Sequence, residues 1–376
     1  MRMSTLVATV LVAAALPLAV APPAQSQEGC LTEEFALPRC DDSTPPTTTI
    51  TAVSPQPNAA GWLAATSVTF SFTGAHTDAD QDPIRFECQF SDAPVAPSPS
   101  SGWTACTSPV TYEDLRENQA TPYTFRVRAV DAADALIDVS NPLLGRQDTP
   151  DVDPTPESMS FTADATPPNT FGYLRTTYSE ESGNAPMLTS TTAELRLQSA
   201  GASGYDCRLD GQPLRCAEGI VMLRDLAAGR HRFTATAVDP AGNADPSPFV
   251  QEMFVPRNLV LGDVDRDSRG LWQRHREPGT FRNDYLESRT YGAVLSFPVR
   301  NVREIRLLAP TGPDFGKVEV RIGRGRWFPV DLRGPERRRL VVLDVRGGIT
   351  SLVGGLLQVR VASQGKAVRV DAISAR

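Results

Sequence analysis

The chain lacks the residue patterns that usually build metal sites and catalytic centres. Its 376 residues include three widely separated histidines, and no two of its six cysteines form a Cys-x-x-Cys pair, so a zinc site is not indicated. It has no Gly-x-Ser-x-Gly elbow, no glycine-rich phosphate loop and no His-Glu-x-x-His run. Paired carboxylates of the glycosidase type need only meet in space, so the sequence leaves that class open. We expect no enzyme activity and no cofactor.

Long apolar runs are missing after the first thirty residues. Residues 6–20 (LVATVLVAAALPLAV) follow Arg2, and Ala24-Gln25-Ser26 offers the small residues that a signal peptidase needs. A transmembrane anchor is the alternative, but this run is short for a bilayer and Pro17 interrupts it. We predict a signal peptide over residues 1–26, no membrane span afterwards, and a secreted protein that is released or held at the cell surface.

Lysine is scarce, because Lys317 and Lys366 are the only two among 37 basic residues. The arginine excess is typical of a skewed genomic composition, so no nucleic-acid partner is predicted. Residues 258–376 hold 22 basic and 13 acidic residues (net +9), whereas residues 27–257 hold 14 and 31 (net −17). The basic C-terminal third could attract anionic wall polymers or extracellular polysaccharides. A solvated surface of skewed composition is the alternative.

An internal repeat dominates what the chain does contain. Residues 86–131 hold Phe-Glu-Cys, a second cysteine and the segment Phe-Arg-Val-Arg-Ala-Val-Asp, and residues 205–239 hold Tyr-Asp-Cys, a second cysteine and Phe-Thr-Ala-Thr-Ala-Val-Asp. Strict alternation of apolar and polar residues indicates strands with one buried face. The 32 prolines favour turns and linkers over helices. The sequence therefore predicts a string of β-modules.

The cysteines are arranged as three local pairs along the chain. Six thiols allow fifteen connectivities, but sequence order and the repeat favour the local pairing, which implies an oxidising compartment. The predicted disulfides are Cys30–Cys40, Cys88–Cys106 and Cys207–Cys216.

The second copy of the repeat carries a longer motif, made of Tyr205, Cys207, Leu209, Asp210, Gly211, Cys216, Leu226, Gly229, His231, Phe233, Ala237, Asp239, Ala241, Gly242, Asn243, Asp245 and Pro246. With this motif it resembles the bacterial Ig-like repeat of secreted proteins from high-GC bacteria. The first copy is a drifted relative, with a longer cysteine loop around Trp103. The resemblance implies an extracellular β-sandwich that serves as a spacer or an interaction module, and it implies no chemistry.

The strand-like runs of residues 258–376 alternate apolar and polar residues, as antiparallel strands with one wet face do. The same segment holds Trp272, Tyr291-Gly292-Ala293, residues 312–318, Val330-Asp331-Leu332 and Val370-Asp371-Ala372. With these residues it resembles a jelly-roll sandwich of the carbohydrate-binding-module type.

The predicted fold class is all-β, with tandem Ig-like β-sandwiches followed by a jelly-roll-like β-sandwich. The predicted domains are an N-terminal arm (27–43), Ig-like module 1 (44–164), Ig-like module 2 (165–257) and the carbohydrate-binding-like sandwich (258–376).

Sugar-binding sandwiches use exposed aromatic rings against the apolar face of a pyranose. The candidate ligand contacts are Trp272, Tyr285, Trp327 and Phe328. Trp327 and Phe328 are adjacent in a hairpin-like stretch, so one of them must face outward. Core packing is the competing interpretation for Trp272 and for Phe315.

A weak calcium candidate lies where the C-terminal third begins. Asp263, Asp265 and Asp267 alternate in the way that hard cations prefer. EF-hand spacing would need glycine and glutamate where Ser268 and Arg274 stand, so that motif fails. Solvated aspartates in a turn are the ordinary explanation.

Together these features predict a secreted, non-catalytic protein whose Ig-like stalk presents a glycan-binding sandwich. Its expected partners are cell-wall or extracellular polysaccharides. The competing hypothesis is a purely structural or protein-binding adhesion protein, in which all the sandwiches are spacers and surface proteins are the partners. A third is a helper subunit of an export or adhesion complex.

Overall fold

The described chain is built almost entirely from β-strands, which confirms the all-β fold class. The predicted signal peptide and the N-terminal arm, with Cys30 and Cys40, fall outside the described residues. Within the described part of the chain, no helix has the length and apolar character needed to cross a membrane. The computed structural model describes residues 44–77, 83–91, 102–131, 151–176, 178–179, 186–345 and 353–376.

The chain forms two compact units. The first comprises the described residues up to Ser54 together with Thr69–Thr111 and Tyr123–Ser160. The second comprises Pro55–Val68, Tyr112–Pro122 and Phe161–Arg376.

The first sandwich is built from β1 (Thr47–Ser54), β2 (Trp62–Leu63), β3 (Val68–Ala75), β4 (Arg85–Ser91), β5 (Thr104–Cys106), β6 (Val110–Tyr112), β7 (Tyr123–Val130) and β8 (Glu157–Ala163). Its two sheets have the orders β1-β3-β6 and β2-β8-β7-β4-β5. Alternation in β3 and β7 turns Phe70 and Phe125 inward. Their rings stack with centroids 4.0 Å apart, so the core lies between the sheets.

The second sandwich is built from β9 (Phe171–Leu174), β10 (Tyr178–Ser179), β11 (Met187–Leu188), β12 (Ala193–Gln198), β13 (Gly204–Leu209), β14 (Gln212–Leu214), β15 (Gly219–Leu223), β16 (Gly229–Val238) and β17 (Phe249–Val255). Its sheets have the orders β15-β12-β9 and β10-β11-β17-β16-β13-β14. Leu195 and Leu197 from β12 pack against Phe233 and Ala235 from β16 in a largely aliphatic core.

The C-terminal sandwich is built from β18 (Arg257–Asn258), β19 (Gln273–Arg276), β20 (Asp284–Ser288), β21 (Val294–Val302), β22 (Ile305–Thr311), β23 (Lys317–Ile322), β24 (Phe328–Asp331), β25 (Arg338–Asp344), β26 (Val353–Val361), β27 (Val368–Val370) and β28 (Ala372–Ala375). Three short 3-10 turns precede β20, at Leu261–Asp263, Arg266–Ser268 and Phe281–Asn283. The sheets have the orders β18-β28-β22-β25, β19-β20-β27 and β21-β26-β23-β24.

The strand β22 is buried along its whole length, which joins two hydrophobic cores. Leu307 packs into the core of the C-terminal sandwich. Its neighbour Leu308 points to the other face of the sheet, where it joins Ala372 in the core of the second sandwich. A strand with apolar side chains on both faces needs cover on both sides, so these two sandwiches share this sheet as a common layer.

Two of the three predicted disulfides are confirmed. Cys88 and Cys106 join β4 to β5, with their Cα atoms 5.8 Å apart. Cys207 in β13 is bonded to Cys216, which follows β14, with a Cα separation of 6.1 Å. No cysteine in the described residues is free.

A second feature repeats, which we call the Thr–Asp latch. In the first sandwich the Thr48 hydroxyl donates to Asp153 Oδ2 at 2.6 Å and accepts from the amide of Ala129 at 2.7 Å. In the second, the amide of Thr170 donates to Asp245 Oδ2 at 2.6 Å, and the Thr170 hydroxyl accepts an amide of β16 at 2.9 Å. Each latch ties the start of its sandwich, within β1 or just before β9, to the segment before its last strand, β8 or β17.

Candidate functional site

Two of the predicted ligand contacts are buried. Trp272 is 4% exposed and belongs to the C-terminal core, which is the packing role that the sequence offered as its alternative. Tyr285 is also buried; its ring stacks on His275 with centroids 5.4 Å apart, and the guanidinium of Arg369 lies 4.8 Å from its centre. Neither ring faces solvent, so a sugar could not stack on either without a rearrangement.

Trp327 is partly exposed and lies against two arginines. The guanidinium carbons of Arg321 and Arg360 are 4.2 and 4.1 Å from the centre of its ring. Arg360 binds Glu319 directly across the sheet at 2.5 Å, and Arg321 donates to Gln358, also directly opposite, at 2.7 Å. We call these five residues the Trp327 cluster. It lies on the outer face of the sheet β21-β26-β23-β24.

Strand register explains why Trp327 and Phe328 differ. Phe328 lies opposite the fully buried Val320, so its side chain is on the inner face of the sheet. Trp327 is the residue just before β24, beyond the turn at Gly323, and it reaches the outer face. Of the two adjacent aromatics, Trp327 therefore takes the outward position. Ligand binding by either residue stays a prediction.

A small basic cleft lies at the other end of β23. It has a volume of about 210 Å³ and contains both lysines of the chain, Lys317 and Lys366, together with Arg333. Asp331 accepts a hydrogen bond from Arg333 at 2.7 Å and lies 3.6 Å from Lys317 Nζ. The Arg333 hydrogen bonds lower the pKa of Asp331 to about 2, so these four side chains carry a net charge of +2 at neutral pH. The two lysines are conspicuous in the sequence by their rarity, but they meet only because β23 and the turn before β27 lie side by side.

The first sandwich has a cluster of the same composition. The guanidinium carbons of Arg126 and Arg128 lie 5.4 and 4.2 Å from the ring centre of Trp103. Arg128 binds Glu87 at 2.6 Å and Arg126 binds Gln89 at 3.4 Å, each directly across the sheet. We call this the Trp103 cluster. The alternating Glu-x-Gln and Arg-x-Arg pairs were a readable signal, but strand pairing was needed to bring them together.

The calcium candidates do not converge. Asp263 is buried, binds Arg257 at 2.6 Å and accepts the amide of Val260 at 3.0 Å. Asp265 caps a 3-10 turn and accepts the Ser296 hydroxyl at 3.1 Å, while Asp267 is exposed. Among the described residues, no group of three or more histidine, cysteine or carboxylate side chains is arranged to hold a metal ion.

One carboxyl of the resemblance motif is fully buried. Asp371 accepts the amide of Phe281 at 2.7 Å, and its own backbone amide bonds Leu308. Burial, and to a smaller extent the charge of Asp284, raises the pKa of Asp371 to about 8. A carboxyl in this position is enclosed by the fold and does not reach a surface ligand.

Exposed aromatic side chains that the sequence did not nominate occur elsewhere. Phe171 and Tyr173 of β9 are 61% and 52% exposed, and Tyr291 in the turn before β21 is 58% exposed. Strand β9 has only four residues, and Gly172 separates Phe171 from Tyr173. The sequence therefore shows no long alternation of apolar and polar residues at this strand. Exposure at these positions could not be predicted without knowing which face of the sheet is covered.

No family model and no curated protein matches the chain. Solved structures with some likeness include fibronectin(III)-like modules of Clostridium thermocellum CbhA (14% identity, 55% of this chain and 93% of that chain, TM-score 0.27). Carbohydrate-binding modules of the β-sandwich superfamily match at 12% identity (56% and 98%, TM-score 0.28). A bacterial ice-binding adhesin concerned with host cell surface retention matches at 11% (89% and 98%, TM-score 0.26). At these values the matches say nothing about what this chain binds.

Proposed function

We propose that this is a secreted, non-catalytic attachment protein that binds anionic polysaccharide through its C-terminal sandwich. The observation that carries the proposal is the pairing of the basic cleft and the Trp327 cluster at opposite ends of β23. Two disulfides in the described chain support an oxidising, extracellular location. The two Ig-like sandwiches would serve as a spacer between the cell and the binding face.

The spacing of the two features suits an extended chain of sugars. Lys317 begins β23 and Arg321 is four residues further on, so they lie roughly 13 Å apart along the strand. A polysaccharide lying along β23 could place one sugar ring near Trp327 and an acidic group in the cleft. The net charge of +9 in residues 258–376 would draw such a polymer toward this face.

The chemistry of the two features is complementary. An indole packs against the apolar face of a pyranose, and the surrounding amide and guanidinium groups can bond its hydroxyls. Lysine ammonium groups bind carboxylate, sulfate or phosphate as compact charges. Because these contacts are charge-assisted and partly exposed, binding should weaken as salt rises.

Affinity electrophoresis of the full-length protein tests the proposal. The probes are polygalacturonate, as an acidic polymer, and dextran, as a neutral one. We expect retardation by polygalacturonate at low salt, and the variant K317A/K366A should lose it about tenfold or more, since each ionic contact contributes roughly 1.5–3 kcal/mol. W327A should weaken it less.

The matched controls remove two basic side chains, or one tryptophan, outside the C-terminal sandwich. R208A/R230A removes two exposed charges from the second sandwich, and W103A removes the tryptophan of the Trp103 cluster in the first sandwich. Both should keep full retardation. No retardation of the wild type by polygalacturonate, or equal loss in K317A/K366A and R208A/R230A, would contradict the proposal.

Protein-binding adhesion is the second candidate function. It is favoured by the exposed aromatic residues Phe171 and Tyr173, which lie on the second sandwich. A variant that loses them should keep polysaccharide binding if the two functions are separate.

A further inference from the structure

The outer face of the sheet β15-β12-β9 is the most apolar exposed surface of the second sandwich. Four large side chains on it are between 41% and 61% exposed: Phe171, Tyr173, Ile220 and Met222. They come from the two outer strands β9 and β15, whereas the central strand β12 contributes charged and amide side chains. Apolar side chains exposed together on one face are typical of an interaction surface.

Strand register places Phe171 beside Gln198 at one end of this face and arranges the rest of it in two rows. The upper row is Tyr173, Arg196 and Ile220, because Arg196 pairs with both of the others. In the lower row Met222 pairs with Glu194, and Arg175 binds Glu194 through its amide and in an ion pair at 2.7 Å. The lower row is therefore Arg175, Glu194 and Met222.

The two rows are complementary to each other, position by position. A second copy turned about a two-fold axis across the strands, at the level of Leu195, would lay its lower row on this upper row. Arg196 would then meet Glu194, Ile220 would meet Met222, and Tyr173 would meet Arg175. These are an ion pair, an apolar contact and a cation–π contact. An axis parallel to the strands would instead set Arg196 against Arg196.

We propose that this face is a homotypic contact through which two copies of the chain associate. An isologous two-fold contact requires a surface that complements itself, and the exchange of rows meets that requirement. Charge complementarity selects a second copy over an unrelated partner, because both members of the ion pair come from the same strand. Aligned packing of sheet on sheet is a standard arrangement for such faces.

The size of the face limits the strength of the contact. Three strands about 4.8 Å apart and about six residues of 3.3 Å rise give a face of roughly 15 by 20 Å. Stable protein interfaces bury about 800 Å² on each partner, so this contact belongs to the weak class. We expect reversible association at roughly 100 μM and above, which matters where many copies are crowded on a surface.

Sedimentation velocity of the full-length protein from about 10 to 500 μM tests the proposal. The wild type should shift toward the dimer with rising concentration. R196E and E194R should each remain monomeric, because each puts like charges together across the axis. An equimolar mixture of the two variants should regain association, since both ion pairs then re-form between unlike chains. The double variant E194R/R196E should regain it alone.

Controls separate this proposal from loss of folding and from the proposed polysaccharide binding. R230E reverses a more exposed charge on the other sheet and should associate like the wild type. Every variant should keep the wild-type melting temperature within a few degrees and keep its polygalacturonate retardation. A wild type that stays monomeric to 500 μM, single variants that still associate, or a mixture that does not would overturn the proposal. Loss of polygalacturonate retardation in Y173A without any self-association would reassign the face to sugar binding.

Discussion

The first and second sandwiches keep the same internal ties but fill their cores differently. Each has a disulfide at one edge of its larger sheet, beside β5 or β14, and each has a Thr–Asp latch. The first core is aromatic, with Phe70 stacked on Phe125. The second is aliphatic around Phe233. The difference shows that the disulfide and the latch set where the strands meet. Apolar side chains of suitable volume, aromatic or aliphatic, can then fill the space between the sheets.

Their outer faces differ in a way that bears on function. The first sandwich covers Trp103 with two guanidinium groups and leaves that ring only partly exposed. The second leaves Phe171 and Tyr173 uncovered. The same sandwich architecture therefore supports a covered aromatic ring in one case and exposed aromatic rings in the other.

Core truncation should separate the two sandwiches most strongly. Removing a buried phenylalanine costs about 3–5 kcal/mol, and a stacked aromatic pair adds about 0.5–1.5 kcal/mol. Phe125 has two aromatic neighbours, Phe70 at 4.0 Å and Phe72 at 6.1 Å, whereas Phe233 has an edge contact with Phe249 at 6.3 Å. We expect F125A to destabilise its sandwich by about 1 kcal/mol more than F233A does, measured by urea denaturation followed by near-UV circular dichroism. Equal losses would mean that the stack contributes nothing beyond burial.

Removing the disulfides should produce smaller and nearly equal effects. The closed loops differ twofold, with sequence separations of 18 and 9. Chain-entropy arguments give a cost of about 3 kcal/mol for each and a difference of only about 0.6 kcal/mol. The measurement is the unfolding free energy of C88A/C106A and of C207A/C216A. A difference above 2 kcal/mol would show that native-state packing, and not loop closure, sets the value.

The pH dependence should distinguish the latch carboxyls from the buried carboxyl of the C-terminal sandwich. Although burial raises the pKa of Asp245, hydrogen bonds from Thr170 and Ser247 lower it overall, so its contribution is lost as pH falls through the acidic range. Asp371, with its pKa raised to about 8, holds a proton in the folded state that the unfolded chain releases near pH 4. Stability due to Asp371 therefore falls as pH rises from about 4 to about 8.

The variant D371N should remove that alkaline loss. We expect the free energy of unfolding of D371N, relative to the wild type, to rise by about 4 kcal/mol between pH 4.5 and pH 8.5. Thermal unfolding across this pH range measures the change. The companion variant D245N should instead lose stability at neutral pH. A D371N curve parallel to the wild type would mean that Asp371 is ionised in the folded protein.

Local patterns were enough to predict the strands and two disulfides. Alternation identified β7 and β16, because a strand with one wet face needs it, and the repeat aligned their cysteines. The latches escaped notice because Thr48 and Asp153 are 105 residues apart, and a hydrogen bond between distant residues leaves no periodic signal.

The candidate site was only partly predictable, since it depends on which face each side chain takes. Trp272 proved to be core and Phe328 lies on the inner face, both for reasons of register that one sequence does not reveal. The lysines could have been singled out by their rarity alone. Their meeting in one cleft required Lys366 to return beside Lys317 from a turn almost fifty residues away.

The strand β22 has no wet face, and this limits how the chain can be divided. A protein that inherited only the C-terminal sandwich would present Leu308 and Ala372 to water, where they would favour aggregation. The second and the C-terminal sandwiches therefore have to be transferred together to remain soluble. Gene fusion or recombination that preserved the basic cleft and the Trp327 cluster would have to carry the open face of β9, β12 and β15 with it.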